Sequence, residues 1–204
     1  MGALVGRIVP HMTDLNRRNL LYLFGVASIT SLVPPIAAAA GKVCVAKPGE
    51  SRFAYSSREQ ARLGPCKLTS DDTGGALSAF ELLALPRSGP ILHVHHREDE
   101  WYYVLSGEFI FKAGEETFNL PTGGTIWLPR GIPHTWANTT RADAKLILVC
   151  QPGGFEKFFD ELSSTMEQFP GDSPAAHAKV AEVLAKYGME MVGPPLLGSL
   201  GFDH

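Results

Sequence analysis

His93, His95, Glu100 and His134 are the residues of this chain whose types and spacing can do chemistry. Three imidazoles and one carboxylate suit a single divalent transition metal: Fe, Mn, Ni, Co, Cu or Zn. The set contains no thiolate, which argues against a structural zinc knot. A metal held this way can bind and polarise a substrate oxygen, and Glu100 can act both as a ligand and as the base toward a bound hydroxyl. His96 and Glu98 fall in the turn between the ligands. They read as solvated groups or as groups standing behind the ligands, with Glu98 the alternative should Glu100 not reach the metal. His11, His177 and His204 have no such company and read as surface residues.

Positioning these four side chains requires strands. On a strand the side chains alternate faces, so His93 and His95 point one way and Val94 the other. Glu100, Tyr102 and Val104 share a face in the same manner, and the turn Pro129-Arg130-Gly131-Ile132-Pro133 delivers His134 from a return strand. Tyr102 and Trp136 have the parity of Glu100 and His134, which makes them candidates for the cavity wall. Trp101, Tyr103, Trp127, Phe109, Phe111 and Phe118 read as barrel core. Short strands are expected at 76–85, 91–96, 100–105, 108–112, 116–120, 125–129, 134–137 and 144–150. Glycine- and proline-bearing turns separate them, at the spacing of an all-β barrel or sandwich.

These residues resemble the cupin superfamily. His93-x-His95, four residues, Glu100, six residues and Gly107 fit its first motif. Gly123, five residues, Pro129-x-Gly131, two residues, His134, three residues and Asn138 fit its second, with 15 residues between Gly107 and Gly123. One departure is Gly89, which stands nearer to His93 than the family pattern places it. The resemblance implies an all-β fold, a small double-stranded β-helix or jelly-roll barrel, with an extended N-terminal arm and two C-terminal helices added here. Asp72-Thr73-Gly74-Gly75, Gly89-Pro90, Pro129-Arg130-Gly131-Ile132-Pro133-His134 and Pro152-Gly153-Gly154-Phe155 are further similar to the quercetin 2,3-dioxygenase-like branch. That branch implies a dioxygenase acting on an aromatic or enolic small molecule, with dioxygen as co-substrate. Rival readings of the same site are a non-oxygenase metalloenzyme (isomerase, hydrolase or decarboxylase) and a non-catalytic ligand-binding cupin, because one fold hosts many chemistries.

Outside the motifs the chain divides into three expected parts: 1–40, 41–152 and 153–204. Asn16-Arg17-Arg18-Asn19-Leu20-Leu21 is a twin-arginine pair running into the apolar stretch Leu20 to Val33. Pro34-Pro35 and small residues at Ala37 to Ala40 follow, so the first part resembles a twin-arginine export signal and implies a periplasmic or secreted protein. Its 14 apolar residues fall short of the roughly 20 that span a bilayer, so no permanent membrane span is expected. Cys44 and Cys66 are either a disulfide or two buried thiols, and Cys150 reads as an inert core residue. Residues 41–75 read as an extended arm with short strands, and a homodimer formed through this region is expected. Phe155, Phe158, Phe159 and Leu162 form one amphipathic helical stripe. A second helix has Asp172 or Ser173 as cap, carries Val180, Val183, Leu184 and Tyr187, and ends at Gly188. Gly193-Pro194-Pro195-Leu196-Leu197 reads as an extended segment lying on the barrel or on a partner. A net charge of −3, with no basic stripe, excludes a nucleic-acid binder.

Overall fold

Eight antiparallel strands between Ser78 and Gln151 form the body of the molecule in the computed structural model, which describes residues 43–171 and 173–200. They are preceded by α1 (Arg58–Leu63), which Ser57 caps by accepting from the Gln60 amide, and by the short β1 (Cys66–Leu68). The strands are β2 (Ser78–Ala84), β3 (Ile91–His95), β4 (Asp99–Ser106), β5 (Glu108–Ala113), β6 (Glu116–Pro121), β7 (Thr125–Leu128), β8 (His134–Asn138) and β9 (Ala144–Gln151). Then come α2 (Phe155–Gln168), α3 (Pro174–Lys186), β10 (Met189–Pro195) and the single turn α4 (Leu196–Ser199). The two sheets run β1-β2-β9-β4-β7 and β10-β3-β8-β5-β6. The expected export segment, His11, Asp172 and His204 lie outside the described residues. Among the described residues no helix is long and apolar enough to cross a membrane.

The alternation read from the sequence decides which residues enter the space between the sheets. On β4, Glu100, Tyr102 and Val104 are buried, whereas Tyr103 and Leu105 are exposed. Phe80, Val104, Phe109, Phe111, Leu146 and Leu148 fill the interior. Three of the aromatic residues expected in the core, Trp101, Tyr103 and Trp127, belong elsewhere. Tyr103 is outward and Trp127 is half exposed, at 50%, and Trp127 stands opposite Trp101 on the outer face of the first sheet. Their parity is opposite to that of Glu100, and parity outweighs hydrophobicity in deciding the face. Phe118 does face inward, opposite Phe111, yet it is 38% exposed because β6 is an edge strand.

The C-terminal stripe packs as its period requires. Phe155 and Phe158 are buried, and the Phe159 ring meets Phe80 edge-on at 5.2 Å. Ser173 caps α3 by accepting from the Ala176 amide, with Pro174 in the first turn. The tail lies on the barrel as an extended segment up to Pro195, where α4 begins: β10 pairs with β3, placing Met189 opposite His95 and Met191 opposite His93. Residues 43–75 contain a helix as well as an arm, because Ser57 offers a cap to a run of good helix formers. Cys44 and Cys66 are not joined. The Cys44 thiol donates to Asp72 at 3.1 Å and the buried Cys66 thiol to the Leu68 carbonyl at 3.1 Å. Gly89, the glycine that departs from the motif, passes so close to β8 that a Cβ there would lie 2.0 Å from the Trp136 carbonyl oxygen.

Candidate metal centre

Three strands from two sheets bring the four predicted donors together. His93 and His95 come from β3 and His134 from its neighbour β8, with His93 directly opposite His134. Glu100 faces them from β4 of the other sheet. One ligand atom from each lies within 4.8 Å of every other, and all four residues are buried. His134 Nε2 is 2.9 Å from Glu100 Oε2, and His95 Nε2 is 3.5 Å from Glu100 Oε1. The His95 and His134 rings lie nearly parallel, 5.3 Å apart, and the Phe155 ring covers His95 at 5.1 Å.

The electrostatics suit a cation. Burial alone would push the Glu100 carboxyl up, but His95, His134 and His93 outweigh it and hold it at about 2. Burial, reinforced by His134, brings His93 down to about 4, so its imidazole is neutral and available as a donor. Burial also works against a charged His95, yet the Glu100 and Glu98 carboxylates prevail and hold it above its ordinary value. Desolvation keeps Tyr102 a phenol, and its hydroxyl donates to Glu100 Oε2 at 3.1 Å. The chemistry of the donor set and a His95 whose Nδ1 and Nε2 lack hydrogen-bond partners among the described residues fit a divalent metal.

Tyr102 and Trp136 share the inward face, Tyr102 packing on Phe111 and Trp136 on Phe109. A cavity of about 470 Å³ opens between the edge strands β6 and β7. Phe118, Leu120, Ile126, Leu128 and Ile132 line it. Leu128 stands opposite Glu100, and Ala113, also on the wall, stands opposite His134. The inner wall therefore shares strand rungs with two of the four donors. Tyr102 and Trp136 are not among its lining residues. Sequence reasoning placed Cys150 in the core and Phe155 on a helical stripe, but did not show that the Cys150 thiol lies 3.8 Å from Glu100 Oε1 or that the Phe155 ring covers His95. The signal for Cys150 was its even spacing from Ala144, Leu146 and Leu148, all inward; Phe155 gave none.

Antiparallel sheets enclosing an inward three-histidine, one-glutamate group define a cupin fold, and residues 83–150 match the family model described as a cupin domain. Curated relatives include the uncharacterized protein MJ1618 of Methanocaldococcus jannaschii, 31% identical over 37% of this chain and 60% of its own. Protein SchB of Streptomyces halstedii is 30% identical over 42% of this chain and 63% of its own. The matched region thus spans less than two thirds of either relative. Among solved structures, TT1209 of Thermus thermophilus is 28% identical, with a TM-score of 0.40 over 50% of this chain and 91% of that one.

Proposed function

We propose that this chain is an exported, metal-dependent dioxygenase acting on an aromatic or enolic small molecule. One observation carries the reading: a buried group of three imidazoles and a carboxylate shares strand rungs, through Leu128 and Ala113, with the wall of a mainly apolar cavity that has no Lys, Arg or His in its lining. His93, His95, Glu100 and His134 would hold the metal, which when bound supplies Lewis acidity toward a substrate oxygen and a route for electrons to dioxygen. Phe118, Leu120, Ile126 and Leu128 favour a flat uncharged ring and keep water away from it. Tyr102 fixes Glu100 from one side. Held at about 2, Glu100 is a ligand first, and it takes a proton only from a hydroxyl that has itself been made acidic.

A carboxylate or phosphate substrate, as an isomerase or decarboxylase of such compounds would bind, meets no basic side chain in this lining. Glu116 is the charged residue of the lining, and Arg130, next to Pro129, is committed to Asp99 through hydrogen bonds of 3.0 and 2.7 Å. The segment over 1–40 supports export. Because twin-arginine export passes folded proteins, cytoplasmic loading would favour iron or manganese over the tighter-binding copper and zinc. The test is incubation of iron- or manganese-loaded protein with a flavonol under air and under argon, following oxygen uptake and flavonol loss together. Matched consumption in air and none under argon is expected. Equal turnover without oxygen overturns the oxygenase reading, and tight binding without turnover overturns the enzyme reading.

A further inference from the structure

The three histidines of the donor group are held at Nδ1 in two different ways. His93 Nδ1 lies 2.7 Å from the Ile91 carbonyl and His134 Nδ1 lies 2.9 Å from the Ile132 carbonyl. Each ring is thereby fixed by backbone two residues upstream. His95 has no carbonyl in that role. Its Nδ1 lies 3.6 Å from Glu98 Oε2, and both atoms are buried with no hydrogen-bond partner among the described residues. Leaving a buried polar atom unpaired costs about 1–3 kcal/mol, and more for a charged one. A contraction of under about 1 Å would bring the two to the charge-assisted distance of about 2.7–2.9 Å.

The surroundings leave Glu98 to His95. Arg130 is taken by Asp99, Arg97 donates to the Lys186 carbonyl at 2.9 Å, and His96 lies 3.5 Å from Glu190. The turn that carries Glu98 is itself tied down. The His96 amide donates to the Gly188 carbonyl at 2.8 Å, and the Gly131 amide donates to the His95 carbonyl at 2.7 Å. Phe155 and His134 pack on the His95 ring. The Nδ1 edge is thus where a side chain can still set its orientation.

We propose that Glu98 is a positioning residue: its carboxylate accepts the His95 Nδ1–H and leaves the Nε2 lone pair directed toward Glu100 and the centre of the donor group. The inference rests on the metal-binding reading above. A carboxylate behind a ligating histidine fixes the tautomer and raises the basicity of the ligand, and its loss typically costs about 10–100-fold in metal affinity.

Cobalt(II) is the probe, because its visible bands report the ligand field. Metal-free full-length protein and its Glu98→Ala and Glu98→Gln variants are titrated with it, and the thermal unfolding of each is recorded without metal. Glu98→Ala is expected to weaken cobalt binding by about 10–100-fold and to alter the band envelope. Glu98→Gln, which keeps an acceptor oxygen, recovers most of the affinity. Should Glu98→Ala fail to fold, Glu98→Asp replaces it, since withdrawing the carboxylate by one methylene carries the same expectation. Unchanged affinity and spectrum in the truncated variant overturn the role of Glu98 and leave the metal site standing. Glutamine as damaging as alanine overturns the hydrogen-bond role. Folded wild type that takes up no cobalt overturns both this inference and the proposed function.

Discussion

Glu156 and Glu100 are both about 1% exposed, and what faces each one separates their roles. Glu100 looks at imidazoles, whereas Glu156, in the first turn of α2, accepts from the Ser70 amide at 2.9 Å, from the Ser70 hydroxyl at 2.6 Å and from the Ser78 hydroxyl. Burial pushes the Glu156 carboxyl up, but these donors outweigh it and hold it below its ordinary value. The helix N-terminus favours the anion as well. Since the folded-state value is the lower one, the stabilisation is fully present above the unfolded-state value of about 4.3. It is lost as pH falls through the folded value, because the unfolded chain then binds the proton first. Glu156→Ala is expected to cost about 2–4 kcal/mol at neutral pH by leaving buried donors unpaired. Glu156→Gln is expected to flatten the acid limb of stability below the unfolded-state value of about 4.3. Urea unfolding at several pH values measures both, and an unchanged acid limb in the glutamine variant would assign that limb to other carboxylates.

At the scale of the elements, strand position predicts where the fold opens. β9 lies between β2 and β4, while β7 pairs only with β4 and β6 only with β5. Residues 116–119 of β6 are exposed. Amide exchange tracks local opening, so β9 and the centre of β4 should exchange through global unfolding, and β6 and β7 much sooner. Hydrogen-exchange mass spectrometry resolves this, and β6 protected to the level of β9 would contradict a cavity mouth at that edge. These edges were legible in advance, since turn residues and period-2 alternation located β2 to β9 within a residue or two at most ends. The donors were legible for the same reason: parity is a local property, and it placed His93, His95 and Glu100 inward before any pairing was known. Met189 to Pro195 was not legible in this way. Gly193-Pro194-Pro195 fixes an extended backbone, but nothing local says that β3 is its partner. Likewise Glu98 reads as a turn residue until the position of the His95 ring is known.

At the scale of the whole molecule, contacts among the described residues cross the boundary between barrel and C-terminal extension and tie the two together. β10 covers the open edge of the strand that carries His93 and His95. Phe155 packs on His95, Glu156 ties α2 to the loop before β2, and Asp160 and Glu167 accept from Ser56 and Ser57. Burying Phe155, Phe158, Val183 and Leu184 contributes about 1.5–3 kcal/mol each. A domain has a net stability of only about 5–15 kcal/mol, so losing four such side chains removes most of it. The full chain is therefore expected to unfold in one transition, with tryptophan fluorescence and far-UV dichroism coinciding. A chain ending at Pro152 keeps all four donors yet loses the strand and the aromatic ring that orient two of them. It should show no cooperative transition, bind cobalt far more weakly than the full chain, and associate through the bared edge of β3. If that shorter chain unfolds cooperatively and binds cobalt as the full chain does, the extension has no part in building the site, and the barrel alone determines where the histidines point.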